Sequence, residues 1–143
     1  MREAAAGVLV GVFDLFNVEH LDALLDAAAR CDDLVVGVVS DDLAERHGRR
    51  RPFVPETERE QIVAAVSGVR AVVLVTDLAA VAGDAGAEVV FTLADEGVTG
   101  AVAEALAGAG DGVPVVTLSG GRVTAAAAVR AALAGAAGRS SVA

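Results

Sequence analysis

The amino-acid sequence predicts a single α/β domain in which a five-stranded parallel sheet lies between two layers of helices, a doubly wound, Rossmann-like arrangement. Short valine-rich runs alternate along the chain with Ala/Leu-rich segments of helical period. Near-continuous apolar strands separated by helices are typical of parallel sheets that helices cover on both faces. The length of 143 residues also fits one domain, because a chain of this size buries roughly 70% of its surface on folding.

Five strands and five helices are predicted in alternation. The strands are expected at residues 7–13, 34–39, 71–75, 88–92 and 113–118. The helices are expected at residues 18–30, 56–67, 78–85, 99–107 and 124–134. Residues 138–143 are small and polar enough to form a flexible tail, which leaves 1–137 as the folded domain.

The first helix has the clearest pattern. Leu21, Leu24, Leu25 and Ala28 recur at helical spacing, so we expect them to form one apolar stripe against the sheet. By contrast, the stretch from Arg46 to Pro55 interrupts the alternation with three consecutive arginines and two prolines, and it predicts a long loop.

Composition excludes several classes of function. The net charge of -9 argues against a nucleic-acid partner, because binding to DNA or RNA depends on neutralising many phosphates. All eleven basic residues are arginine, which rules out a P-loop lysine and Schiff-base chemistry. Cys31 is the single cysteine and cannot form an internal disulfide, so a cytoplasmic location is expected.

No membrane segment is expected either. The apolar run from Ala4 to Phe13 ends at Asp14 and is too short to cross a bilayer, which requires roughly 20 residues. It also lacks a convincing signal-peptide cleavage site. We interpret this run as the first buried strand.

The functional site is expected where the first strand gives way to the first helix. In an open parallel sheet, ligands bind beyond the carboxyl ends of the strands, where a helix presents unpaired N–H groups to an anion. The junction runs from Gly11 to Leu21 and places a polar cluster at the amino end of the helix. The cluster consists of Asp14, Asn17, Glu19 and His20.

These residues resemble the nucleotidylyltransferase superfamily, and within it cytidylyltransferases of the glycerol-3-phosphate type. That family opens with Gly-Thr-Phe-Asp and continues with His-x-Gly-His. The similarity extends through strand 34–39, through Ser40-Asp41-Asp42, and through segment 51–55 followed by Glu58-Arg59. It covers most of the first 95 residues.

The resemblance implies a strand order of 3-2-1-4-5 and a defined reaction. A phosphate oxygen of the second substrate attacks the α-phosphate of CTP and releases pyrophosphate, while Mg²⁺ lies on the phosphates. The partners implied are a nucleotide and a phosphorylated small molecule. The family also forms homodimers, and a paralogue with an intact motif is an alternative partner.

The resemblance assigns site residues by position. His20 matches the second signature histidine, Asn17 stands in the place of the first, and Arg59 is the arginine of the Glu-Arg pair. The nucleotide-binding positions are Gly11, Val12, Phe13, Asp14, Asp41, Arg49, Arg50, Asp95, Arg122 and Thr124. No residue is assigned as a metal ligand.

Several positions depart from the family pattern. Glu19 replaces the signature glycine, and Gly48 falls about where a phosphate-binding lysine is usual, although Arg49 or Arg50 could reach the phosphates instead. The segment 119–127 retains only Arg122 and Thr124 where the family has Arg-Thr-x-Gly-Ile-Ser-Thr-Thr. A carboxylate at Glu19 would repel a triphosphate, so weakened activity is expected.

Alternative interpretations stay open for the main residues. Asn17 either only caps the first helix or also retains a phosphate contact. His20 either contacts phosphate or donates a proton, or it is bonded to a nearby carbonyl. The run of arginines 49–51 either clamps phosphate or forms a solvated loop. At the level of function, a weakened cytidylyltransferase and a non-catalytic relative that binds a nucleotide or phosphorylated ligand are both consistent with the sequence.

Overall fold

The computed structural model describes residues 4–48, 50–94, 96–110 and 112–119. In this part of the chain, five parallel strands form one sheet with the order β3-β2-β1-β4-β5. The strands are β1 (Ala4–Gly11), β2 (Cys31–Val39), β3 (Ala71–Val75), β4 (Val89–Leu93) and β5 (Val115–Leu118). The predicted fold class and strand order are confirmed.

Helices connect the strands on both faces of the sheet. They are α1 (Val18–Arg30), α2 (Asp41–Gly48), α3 (Glu56–Ala64), α4 (Val81–Ala85), which follows a 3₁₀ turn at Leu78–Ala80, and α5 (Thr99–Ala109). The helix predicted at 124–134 and the tail predicted at 138–143 lie outside the described residues. Among the residues that are described, no helix is both long and apolar enough to cross a membrane.

Alternate residues of the central strand β1 contribute to two separate hydrophobic cores, one on each face of the sheet. Leu9 of β1 packs with Leu24 of α1 and Val63 of α3 on one face. Val8 and Val10 pack on the other face with residues of α2, α4 and α5. Because side chains point to opposite faces along a strand, one valine-rich strand supports both helical layers.

The sequence prediction missed helix α2. Residues 46–48 were expected in a loop, but they form the last turn of this helix. The Ser40 hydroxyl accepts a hydrogen bond from Leu43 N at 3.2 Å, and Asp41 and Asp42 place negative charge in the first turn. A serine at the helix start and acidic residues in the first turn both stabilise a helix amino end. The loop is therefore shorter than predicted.

The apolar stripe of α1 also differs from the prediction. Leu25 is 47% exposed, whereas the residues buried against the sheet are Ala23, Leu24 and Ala27. Two alanines at the contact allow close approach of helix and sheet, so the stripe is rotated away from Leu25.

The strand order creates a crevice at the carboxyl ends of β1 and β4. From β1 the chain proceeds to β2 and β3 on one side, and β4 and β5 lie on the other side. The loops after β1 and β4 therefore diverge to opposite faces of the sheet, and such a switch point is where ligands bind in open α/β sheets.

We expect the inner strand β4 to contribute far more to stability than the edge strand β3. Phe91 is 0% exposed and Val73 is 42% exposed. The substitution Phe91→Ala should lower the free energy of unfolding by about 3–5 kcal/mol, whereas Val73→Ala should lower it by less than about 1 kcal/mol. Urea denaturation of the two variants tests this, and equal losses would contradict the assignment of the core.

Candidate active site

The β1–α1 turn adopts a strained backbone. Phe13 and Leu15 have positive φ angles of 57° and 50°, a region that residues other than glycine rarely enter. The Phe13 side chain is 1% exposed and belongs to the core. Such strain persists only when surrounding contacts enforce it, and it is concentrated at functional sites.

Asn17 and His20 cap helix α1 reciprocally. The Asn17 side-chain oxygen accepts from Glu19 N at 2.9 Å, and His20 Nδ1 accepts from Asn17 N at 3.0 Å. Asn17 therefore caps the helix in the structure, as both interpretations of this residue require. Because Nδ1 acts as an acceptor, the neutral His20 ring carries its proton on Nε2.

The His20 ring is also held by aromatic contacts. Its centroid lies 5.8 Å from that of Phe13 and 5.4 Å from that of Phe16. The cap and the two rings together fix the imidazole at the helix amino end, next to the strained turn. The ring is thus positioned as a hydrogen-bond donor in a defined orientation.

Asp14 joins the turn to the loop that precedes α3. Its two carboxylate oxygens accept from Phe53 N and Val54 N, both at 2.9 Å. The Phe53 ring is 66% exposed, and the Arg50 guanidinium stacks on it at 4.2 Å from the centroid. Arg50 therefore lies beside the β1–α1 turn, although the residue that precedes it, Arg49, is outside the described residues.

Arg51 does not have the position of a phosphate clamp. Its guanidinium donates to Asp42 at 2.9 Å and to Glu45 at 3.3 Å, both on α2. This part of the arginine run is paired on the protein surface. Of Arg50 and Arg51, the two arginines of this run that the structure describes, Arg50 is the one next to the turn.

Arg59 is completely buried beneath the site. It is 0% exposed, and Nη1 donates to the carbonyls of Val12 and Val39 at 2.7 and 2.8 Å. Nε donates to the Val54 carbonyl at 2.9 Å, and Nη2 donates to Asp41 at 2.6 Å. These bonds connect the ends of β1 and β2 to the loop and to α2. The geometry makes Arg59 a positioning residue, since its guanidinium is occupied by protein atoms.

Asp41 connects α2 to α3 through Glu56. Asp41 N donates to a Glu56 carboxylate oxygen at 2.9 Å, and Glu56 N donates to Asp41 Oδ2 at 3.3 Å. Each carboxylate thus accepts from an N–H group at the start of the other helix. Asp41 is 8% exposed, so this side chain acts mainly inside the protein.

A carboxylate that sequence reasoning missed occupies the crevice. Both Glu96 carboxylate oxygens accept from Val12 N, at 3.0 and 2.9 Å, and Phe13 N is a second backbone donor. Gly11 permits this approach, because a Cβ atom there would lie 2.6 Å from a Glu96 oxygen. The predicted position of an intruding carboxylate was Glu19, but the side chain on these two N–H groups is Glu96.

Burial raises the pKa of Glu96 to about 7. The hydrogen bonds from Val12 and Phe13 and the positive charge of Arg59 lower this pKa, and the nearby Asp14 carboxylate raises it. Burial outweighs the lowering contributions because it disfavours the charged form of a carboxyl group. Perturbed carboxyl groups in a cleft are candidates for functional roles.

The remaining predicted site residues are not all accounted for. Asp95, Arg122 and Thr124 lie outside the described residues, as does Arg49. Among the residues that the structure does describe, no group of three or more His, Cys, Asp or Glu side chains is arranged to hold a metal ion. The structure brings Gly11, Val12, Phe13, Asp14, Asn17, His20, Arg50, Asp41 and Arg59 around one end of the sheet.

Comparison with known proteins identifies relatives. Residues 8–96 match the family model described as cytidylyltransferase-like. The bifunctional protein HldE of Koribacter versatilis is 43% identical over 65 residues, which is 45% of this chain and 13% of that protein. HldE of Caulobacter sp. strain K31 is 39% identical over 74 residues, 51% of this chain and 15% of that protein. The chain thus matches only a small part of the length of these relatives.

Solved structures share the fold. The lipopolysaccharide core biosynthesis protein of Thermoplasma volcanium superimposes with a TM-score of 0.69 at 21% identity, covering 80% of this chain and 96% of that one. A protein of unknown function from Archaeoglobus fulgidus superimposes with a TM-score of 0.64 at 18% identity, covering 87% of this chain and 93% of that one. The two proteins therefore share the fold of this chain although their sequences are only distantly similar to it.

Removal of the Arg59 side chain should destabilise the whole protein. Arg59→Ala removes the donor to three carbonyls and to Oδ1 of Asp41, and we expect a loss of about 3–5 kcal/mol in the free energy of unfolding. The control is Arg70→Ala, since Arg70 forms an exposed pair with Asp33 at 3.4 Å, for which about 0–1 kcal/mol is expected. Chemical denaturation distinguishes the two, and a small effect at Arg59 would refute its positioning role.

The raised pKa of Glu96 predicts a specific pH dependence of stability. The unfolded chain has the ordinary glutamate value of 4.5 and the folded chain a value of about 7, so the folded protein binds the extra proton between these limits. The free energy of unfolding should fall as the pH rises through this window. Relative to Glu96→Gln, we expect the wild type to lose about 2.5 kcal/mol between pH 5 and pH 8. The free energy of unfolding of both proteins is measured by urea denaturation at several pH values in that range. If it changes with pH equally in the two proteins, the assignment is wrong.

Proposed function

The chain belongs to the cytidylyltransferase-like family, and from this premise we propose that it transfers a nucleotidyl group from a nucleoside triphosphate, CTP by resemblance, to a phosphorylated alcohol or sugar. Pyrophosphate is the second product. The observation that carries the proposal is the β1–α1 turn, which lies within the matched residues and directs the N–H groups of Val12 and Phe13 to the switch-point crevice.

The proposed chemistry needs no protein nucleophile. A phosphate oxygen of the acceptor attacks the α-phosphorus, the bond from that phosphorus to the bridging oxygen breaks, and pyrophosphate leaves with its electron pair. Catalysis of such a transfer consists of positioning and of stabilising the charge on the phosphoryl oxygens. His20 Nε2–H and backbone N–H groups of the turn are the donors that we assign to this task.

Mg²⁺ is proposed as a companion of the nucleotide. It would neutralise charge on the phosphates, and protein sites for Mg²⁺ commonly supply only one or two carboxylates beside substrate phosphates. Asp14 lies at the crevice and could serve in this way. Both of its oxygens accept hydrogen bonds from the loop, which leaves lone pairs but fixes the orientation of the carboxylate.

We further propose that the activity is weak. Asn17 replaces a histidine and uses its side chain for the helix cap, and Glu19 stands where the family has glycine. Arg50 is a substitute for the missing lysine, and its stacking on Phe53 holds it beside the turn. The replacement of the histidine redirects a phosphate donor, and loss of one such donor commonly reduces the rate by about 10²–10³-fold.

A binding function without turnover is the second candidate. The observation that favours it is the Glu96 carboxylate on the backbone donors of the crevice. In this case the protein would hold a nucleotide or phosphorylated ligand, or pair with an intact paralogue.

We also propose a cytoplasmic location, which is supported by the lone buried Cys31. Homodimer formation is a further proposal, which is supported by the resemblance to the family.

A pyrophosphate-release assay tests the proposed function. The purified protein is incubated with Mg²⁺, with CTP or ATP, and with a panel of phosphorylated alcohols and sugars. We expect slow turnover with one pair of substrates, a further loss of about 10²-fold or more in His20→Ala, and a gain of at least about tenfold in the double variant Asn17→His, Glu19→Gly. Asp33→Asn, on an exposed residue of β2, serves as a control with unchanged rate.

The possible results separate the two candidates. Absence of turnover in the wild type and in the double variant, together with measurable nucleotide binding, favours the binding function. Absence of both turnover and binding contradicts both candidates.

A further inference from the structure

We infer that Glu96 is an internal competitor for the phosphate-binding backbone of the crevice, and that the anionic part of a ligand binds there only when the Glu96 carboxylate is neutralised or displaced. This inference rests on the proposed function, since it takes the ligand to be a phosphate-bearing molecule. It adds a residue whose own charge and position determine when the backbone donors are available to an anionic ligand.

The first step of the argument is the position of the carboxylate. Val12 and Phe13 are the first two residues after β1, and their N–H groups face the crevice between β1 and β4. Glu96, from the loop after β4, reaches across 84 positions of sequence to place both oxygens within 3.0 Å of Val12 N. Successive backbone N–H groups of this kind form an anion-binding concavity, and here a side chain of the same protein fills it.

The second step is that the fit is specific. Gly11 leaves no room for any side chain at the end of β1, because a Cβ atom would come within 2.6 Å of a Glu96 oxygen, 2.8 Å of Leu93 and 2.9 Å of Phe13. Two negatively charged groups cannot share the same two donors, since in a partly buried site their repulsion is only weakly screened. Ligand phosphate and ionised Glu96 are therefore mutually exclusive.

The third step concerns what surrounds the carboxylate. Arg59 from α3 contributes positive charge and Asp14 from the β1–α1 turn contributes negative charge. The end of α2, which carries His47, lies against Gly97, and the first turn of α5 contains no acidic residue. The Arg59 guanidinium is bonded to other protein atoms, so Glu96 has no direct ion pair with it.

The fourth step is that Glu96 can leave. The residue as a whole is only partly buried, and it lies in the loop between β4 and α5 rather than inside a strand or helix. The pKa of about 7 means that protonation near neutral pH removes its charge. The donors of the turn, by contrast, are fixed by the strained backbone at Phe13 and Leu15.

Titration calorimetry of wild type and Glu96→Gln with CTP and Mg²⁺, and separately with inorganic tripolyphosphate, tests the inference at pH 6 and pH 8. Glutamine preserves the shape and one acceptor but has no charge. We expect Glu96→Gln to bind both probes at least tenfold more tightly than the wild type at pH 8. The difference should shrink at pH 6, where Glu96 is largely protonated. The ratio of the two proteins' dissociation constants is the readout, because the titration of the probe itself cancels in that ratio.

Glu104→Gln provides the matched control, because Glu104 is an exposed residue of α5 and should behave like the wild type at both pH values. Carbon-13 NMR of the glutamate carboxyl groups gives a second readout in the wild type, which does not depend on the folding of a variant. Saturation with tripolyphosphate should move the Glu96 titration from about 7 towards the ordinary glutamate value as the side chain is displaced.

The outcomes are distinguishable. If wild type and Glu96→Gln bind the probes equally at both pH values, or if the Glu96 carboxyl titration is unchanged by the probe, the inference is wrong and the proposed function stands. If neither protein binds either probe, the proposed function and the inference fail together.

Discussion

The architecture of the site depends on the hydrogen bonds of one buried guanidinium. Arg59 donates to the carbonyl groups of Val12, the first residue after β1, and of Val39, the last residue of the adjacent parallel strand β2. A planar group with five donors is well suited to satisfy several carbonyl groups at once. Because its remaining bonds go to Val54 and Asp41, the same side chain sets the distance between the turn, the loop and α2.

Much of the fold could be predicted from the sequence because it is encoded locally. Valine-rich runs and helical periods mark the strands and most helices, and these signals do not depend on distant residues. Helix α2 was missed because its signal is brief: a serine and two aspartates precede only Leu43 and Ala44 as buried residues. Leu25 was assigned to the buried stripe because leucine is the stronger apolar signal, whereas packing selected the smaller Ala23 and Ala27.

The site was predictable only in part, since its decisive contacts are non-local. The cap formed by Asn17 and His20 spans three residues and follows from residue types. Glu96 accepts hydrogen bonds from Val12 N, 84 positions away in the sequence. No sequence pattern predicts a contact between residues so far apart. The one available signal was its place directly after the fourth strand beside Asp95, in a loop that the strand order brings to the switch point. Arg59, similarly, carries a family motif whose chemistry suggests catalysis, while its complete burial becomes visible only in the structure.

The reciprocal bonds between Asp41 and Glu56 have a consequence for how this region can vary. They lock the first residues of two helices to each other independently of the chain that joins them. Further along, Asp14 holds the connection at Phe53 and Val54, and Arg51 is paired with Asp42 and Glu45 of α2. The reciprocal bonds would keep the two helix starts joined if the segment between them were longer, because the entropy of closing a loop grows slowly with its length. An insertion there would change the surface beside the β1–α1 turn, where Arg50 stacks on Phe53, without separating the amino ends of α2 and α3.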